Sequence, residues 1–101
     1  MGKLVRDNIP DQIINDGKMP SYYVLSENDF RKSLLEKLVE ESREVMDNPT
    51  KEEIADVLEV IDAILDTFSI SKKELMACKR NKKISNGAFK KRYYLREIKT
   101  K

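Results

Sequence analysis

Residues 34–60 read Leu34-Leu-Glu-Lys-Leu-Val-Glu-Glu41-Ser-Arg-Glu44-Val-Met-Asp-Asn-Pro49-Thr50-Lys-Glu-Glu53-Ile-Ala-Asp56-Val-Leu-Glu-Val60. Two helical patterns meet there at a break. Asp47-Asn48-Pro49 stops the first, because the residue before proline avoids helical geometry and Asn favours turns. Thr50-Lys-Glu-Glu53 is a capping box that opens the second. The first helix is expected from about Glu27 to Met46, started by Ser26 with Asp29 three residues on and by a Leu25/Phe30 staple. The second is expected to run from the Thr50 cap to about Thr67.

At about 100° per residue, Phe30, Leu34, Leu35, Leu38, Val45 and Met46 form one apolar arc on the first helix. Glu41 falls inside that arc and Glu44 at its edge. Glu36 and Arg43 point away. On the second helix the arc is Ile54, Val57, Leu58, Val60, Ile61, Ile64 and Leu65, with Glu53 inside it and Asp56 on its border. Each helix therefore offers an i, i+3 pair of acids on the margin of a face that must be buried. An unpartnered buried carboxylate costs several kcal/mol, so four converging acids call for protonation, a Lys or Arg partner, or a hard divalent cation. An oxygen-only donor set suits Mg²⁺ or Mn²⁺. The plain alternative is that such pairs are solvated surface charge, with Glu53 serving only the capping box.

Working outward, Ser71-Lys-Lys-Glu74 is a further capping box, with Ile70 and Leu75 spaced to staple it, and it opens a third helix to about Lys83. Asn86-Gly87 marks a turn. Ser21-Tyr-Tyr-Val-Leu25 and Arg92-Tyr-Tyr-Leu95 are rich in strand formers, and the segments around 21–25 and 91–95 are candidates to pair as a short β-ribbon. There are no repeats and no low-complexity linker. The expectation is one all-α domain over residues 1–101.

The length of 101 residues allows one domain with a modest core, so self-association is a natural way to bury more surface, and a homodimer or homotetramer is expected. The net charge of +2 conceals an asymmetry. Of the 20 Lys and Arg and 18 Asp and Glu, 12 and 2 fall in residues 72–101, giving +10 there and −8 in residues 1–71. With no His, a Ser-His-Asp triad and any His-containing zinc site are excluded. Cys78 is single and forms no internal disulfide, which fits a reducing cytosol. Gly2, Gly17 and Gly87 are too scattered for a phosphate-binding glycine loop. No apolar run reaches membrane length, the opening Met1-Gly-Lys-Leu-Val-Arg-Asp-Asn-Ile-Pro10 has no signal-like segment, and Arg6 stands where a myristoylation motif wants Ser or Thr. A soluble cytoplasmic protein without membrane partners is expected.

Glu40-Glu41-Ser-Arg-Glu44 followed by Glu53-Ile-Ala-Asp56 resembles the Glu-Glu-x-x-Glu and Glu-x-x-Asp signature of the MazG-like all-α nucleoside triphosphate pyrophosphohydrolases. Lys3-Leu-Val-Arg-Asp-Asn-Ile-Pro10 is similar to the start of small stand-alone members, and the likeness covers nearly the whole chain. The resemblance implies an antiparallel helical bundle, Mg²⁺ held by Glu41, Glu44, Glu53 and Asp56, and hydrolysis of a nucleoside triphosphate to monophosphate and pyrophosphate. Those four acids would be both metal ligands and the catalytic group, with Glu40 an outer or alternate ligand. Lys79 and Lys82, one turn apart on the third helix, match basic positions of the family and would meet the pyrophosphate; Arg6 and Lys3 are further phosphate candidates. Asn86-Gly87-Ala88-Phe89 departs from the family's Arg-Gly-Gly-Phe and lacks its arginine.

Two other readings compete. The end from Lys79 to Lys101 interleaves Phe89, Tyr93 and Tyr94 with Lys and Arg, a composition suited to nucleic acid, although the acidic half would repel a phosphate backbone. A helical dimer with acids merely exposed at a subunit edge is the third.

Overall fold

A computed structural model describes residues 2–100 of the chain, so Lys101 of the basic end lies outside the described residues. Four helices follow in order: α1 (Ile9–Asn15), α2 (Glu27–Asp47), α3 (Lys51–Thr67) and α4 (Lys72–Asn86). The all-α class stands. The chain falls into two compact units, the first ending at Ile70 and the second beginning at Ser71.

In the first unit the capping residues act as the sequence implies. The Ser26 hydroxyl accepts from the Asp29 N–H at 3.2 Å and the Thr50 hydroxyl from the Glu53 N–H at 3.3 Å, each satisfying a donor that the first turn leaves open. Three residues, 48–50, connect α2 to α3, so the chain turns back on itself. The guanidinium of Arg31, near the start of α2, lies 5.5 Å from the ring centroid of Phe68, just past the end of α3. Glu41, in the second half of α2, meets Glu53 and Asp56 at the start of α3. These contacts at opposite ends define an antiparallel helical hairpin.

Its seam is narrow. Leu34, at 3% exposure, is the most buried side chain, joined by Val60 and Leu65. Phe30, Leu38, Val45, Val57, Ile61 and Ile64 are half-buried around them. Leu35, Met46, Ile54 and Leu58 share the arcs yet stay exposed. A single helix–helix contact covers a strip narrower than the arc these residues span.

α3 ends in a Schellman motif: the Ile70 N–H donates to the Leu65 carbonyl and the Ser69 N–H to that of Asp66. Ser69 takes the left-handed position of that motif, φ 56°, where glycine is usual.

α1 is absent from the sequence expectations. Its signals are punctuation rather than periodicity. Pro10 stands in the first turn and Gly17, φ 80°, just past the end, where the Gly17 and Lys18 N–H groups close onto Ile14 and Ile13. Asn8 provides no side-chain cap, so the usual start signal is missing.

In the second unit, Ser71 caps α4 through the Glu74 N–H at 3.0 Å. α4 continues one turn past Lys83 to Asn86 and stops at Gly87, φ 85°, whose N–H returns to the Lys83 carbonyl. Beyond it the chain is irregular.

The expected β-ribbon is corrected: no strand occurs among the described residues, and the segments 21–25 and 91–95 are both irregular. Tyr22, Tyr23, Val24, Tyr93, Tyr94 and Leu95 are exposed. A two-stranded ribbon lacking an apolar face packed on something else has little stability in water, and strand propensity alone does not supply it. No helix among the described residues is long and apolar enough to cross a membrane.

Candidate functional site

The hairpin brings the acids together at its turn. Glu41, Glu53 and Asp56 each place a carboxylate oxygen within 4.8 Å of the other two, and all three residues are half-buried. The geometry follows from the local sequence. Thr50 starts α3 immediately after the turn, which puts Glu53 and Asp56 on its first two turns. Antiparallel packing then sets them beside the face of α2 that carries Glu41.

Glu53 is also freed from its structural alternative. The Thr50 N–H donates to the Asn48 carbonyl at 2.8 Å, so the reciprocal half of the capping box is taken by backbone and the Glu53 carboxylate faces its acidic neighbours. Partial burial, then the charges of Glu44, Asp56, Glu41 and Glu52, raise its pKa above the ordinary 4.5.

Glu44 stands apart. It is exposed and does not belong to the close triplet, although its charge acts on Glu53. The structure thus gathers three of the four expected ligands.

Two cations hold the triplet. Arg6 Nη2 donates to Asp56 Oδ1 at 2.6 Å. Lys37 Nζ lies 3.3 Å from Glu41 Oε1 and donates to both carboxylate oxygens of Glu40 at 3.3 Å. Arg6 therefore reaches the acids themselves. Lys37 escaped the sequence reading; its only signal is a lysine three and four residues before Glu40 and Glu41, a spacing that places it beside both on a helix. Glu40, expected at the margin of the site, is engaged by Lys37.

Because Lys37 is shared with Glu40, four carboxylates, Glu40, Glu41, Glu53 and Asp56, face two cations and two negative charges are uncompensated, while Glu44 adds to the local field. Donors that are all oxygen fit a hard cation. Opposite ligands of Mg²⁺ lie about 4.2 Å apart at bond lengths of about 2.1 Å. Three ligands of one octahedral ion include at least two neighbouring pairs, which lie only about 3.0 Å apart, so the three oxygens would have to draw together, with Arg6 and Lys37 yielding the lone pairs they now occupy. Lys79 and Lys82 lie exposed on α4, in the second unit.

No family model matches the chain, and no curated protein or solved structure matches it.

Proposed function

We propose that the chain is a Mg²⁺-dependent nucleoside triphosphate pyrophosphohydrolase of the MazG-like type, releasing nucleoside monophosphate and pyrophosphate and serving nucleotide-pool house-cleaning in the cytoplasm. The observation that carries this reading is the meeting of Glu41, Glu53 and Asp56 at the α2–α3 turn, on the residues of the Glu-Glu-x-x-Glu and Glu-x-x-Asp signature. Glu44 completes the ligand set in the proposal, by rotation of its exposed side chain. Bound there, Mg²⁺, or Mn²⁺ in its place, supplies the positive charge that polarises the phosphoryl oxygens.

The chain's own groups do the rest. A water attacks the α phosphorus, the α–β anhydride bond breaks, the bridging oxygen leaves with pyrophosphate, and a carboxylate takes the proton of the water.

The exposed apolar positions Leu35, Ile54 and Leu58 support a homodimer or homotetramer that widens the hairpin into the family's bundle. The test is pyrophosphate release from a panel of normal and oxidised nucleoside triphosphates. It should require Mg²⁺ and fall by about 10²-fold or more in Glu41→Gln and Asp56→Asn while circular dichroism is unchanged. Cation-independent release, or full activity in both variants, overturns the reading.

A second reading, nucleic-acid binding, has one observation in its favour. Phe89 is fully exposed and Tyr93 and Tyr94 nearly so, among Lys and Arg, with Lys91 Nζ 5.8 Å from the Tyr93 ring centroid. It requires steeply salt-dependent binding of DNA or RNA that Lys90, Lys91 and Arg92 control and Asp56→Asn leaves untouched.

A further inference from the structure

α3 has one face whose charge nothing on its own helix neutralises. Glu59, Asp62 and Asp66, at i, i+3 and i+7, share that face at about 100° per residue, and all three are exposed. Lys51 is the sole cation of α3 and stands at its opposite end. Among the described residues none of the three acids has a Lys or Arg within ion-pair distance. Like charges one turn apart destabilise a helix, and Asp66 lies in the last turn, where the helix dipole also disfavours an anion. Leu58 borders the face, and Phe68 and Ile70 are exposed beyond its end. An acidic strip with an apolar margin is complementary to a basic, partly apolar partner.

The chain itself contains such a segment. Phe89-Lys90-Lys91-Arg92-Tyr93-Tyr94-Leu95-Arg96-Glu97-Ile98, beyond the end of α4, has four cations and one acid. Among the described residues none of Lys90, Lys91, Arg92 and Arg96 has a carboxylate within ion-pair distance. Tyr93, Tyr94, Leu95 and Ile98 are exposed over three quarters or more of their surface. The backbone there belongs to no helix or strand, so it can follow the line of a helix face. The aromatic rings alone would suit nucleic acid. Leu95 and Ile98 gain nothing from a base or a phosphate, and they do gain from apolar cover.

We propose that residues 89–98 of one copy lie along the face of Glu59, Asp62 and Asp66 in a second copy, and that the second copy returns the same contact. This names the contact of the self-association proposed above, on which it rests. Lys90, Lys91 and Arg92 bring three positive charges to three carboxylates, while Leu95 and Ile98 meet the apolar margin at Leu58 and Phe68. Two identical contacts close a two-fold dimer and leave no free surface to propagate. The face lies on the C-terminal half of α3, away from Glu53 and Asp56 on its first two turns.

Sedimentation velocity of the full chain across a concentration series tests this. Wild type is expected to be dimeric at low salt, with a dissociation constant that rises about tenfold or more at ~0.5 M salt. Reversing the segment (Lys90→Glu, Lys91→Glu and Arg92→Glu together) should give a monomer, and so should reversing the face (Glu59→Lys, Asp62→Lys and Asp66→Lys together). Mixed in equal amounts, the two variants should dimerise, because the acidic segment of one then meets the basic face of the other, and the basic segment the acidic face. Lys72→Glu with Lys73→Glu, exposed on α4, should remain dimeric. A monomeric wild type overturns the self-association and this contact together; if it captures a single-stranded oligonucleotide through Lys90, Lys91 and Arg92, the segment belongs to nucleic acid. A dimer that survives either reversal overturns the contact alone and leaves the association to another face. Reversed variants that stay monomeric on mixing overturn the exchange. Nucleotide turnover enters none of these readings, so the hydrolase proposal stands or falls apart from them.

Discussion

Arg6 and Asp56, fifty positions apart in the chain, are joined by a 2.6 Å charge-assisted hydrogen bond that ties the segment ahead of α1 to the start of α3. Their side chains are 55% and 42% exposed, so solvent screening limits the pair to about 0–1 kcal/mol of stability. Its weight falls on the site instead, since it occupies an oxygen of the acid triplet.

Arg6→Gln should therefore barely change the urea midpoint while tightening Mn²⁺ binding several-fold, because a competitor for Asp56 has gone. Arg31→Gln, whose partner is Glu27, supplies the control for a general change of charge. Electron paramagnetic resonance titration of Mn²⁺ reads both. Equal affinities in wild type and Arg6→Gln would mean that the guanidinium does not compete with the cation.

The raised pKa of Glu53 has a definite sign in stability. Its folded form holds a proton more tightly than the unfolded chain, so the native state binds more protons above pH 4.5, and stability declines as pH rises through that window. Glu53→Gln should melt at a higher temperature than wild type at pH 7, and the gain should vanish below about pH 4.5. Thermal melts across pH 4–8 without divalent cation test this; a lower melting temperature at pH 7 contradicts it.

Ser69 closes α3 in a left-handed conformation, φ 56°, that costs a non-glycine residue about 1 kcal/mol. Ser69→Gly should raise the stability of the first unit by about 0.5–1 kcal/mol, since the Schellman hydrogen bonds stay and the strain goes. Chemical denaturation measures the gain, and a loss would show that the serine side chain has another task.

Leu34→Ala should cost about 2–5 kcal/mol, a large share of the roughly 5–15 kcal/mol available to a small domain. Val39→Ala, at an exposed position on the same helix, should stay within about 0.5–1 kcal/mol. Comparable losses at the two positions in urea unfolding above the association range, with the Val39 loss vanishing on dilution, would mean that a partner copy buries Val39.

Lys79→Gln and Lys82→Gln should each raise KM for a nucleoside triphosphate about tenfold if these lysines meet its phosphates, with stability nearly unchanged because both are exposed. Unaltered steady-state kinetics in the double variant would leave Lys79 and Lys82 as solvated charge near the end of α4.

Much of the fold could be read in advance, for a local reason. Ser26, Thr50 and Ser71 each bind an amide three residues ahead, so the starts of α2, α3 and α4 are written in four-residue words. α1 passed unnoticed because Asn8 offers no cap and seven residues hold too little periodicity to register. The ribbon failed for the opposite reason: Tyr22, Tyr23, Tyr93 and Tyr94 have the propensity for strands but nothing to pack on.

The carboxylates divide the same way. Helical angle alone placed Glu41, Glu53 and Asp56 on the margins of two buried faces, because residue spacing along a helix is set by the backbone. That Glu44 stays outside the triplet, that Arg6 reaches Asp56, and that Leu35 and Leu58 remain uncovered are matters of how the segments meet. Such facts depend on the width of one helix–helix seam and on contacts between residues up to fifty positions apart. No local pattern encodes them, since each partner is indifferent to the other until the hairpin closes.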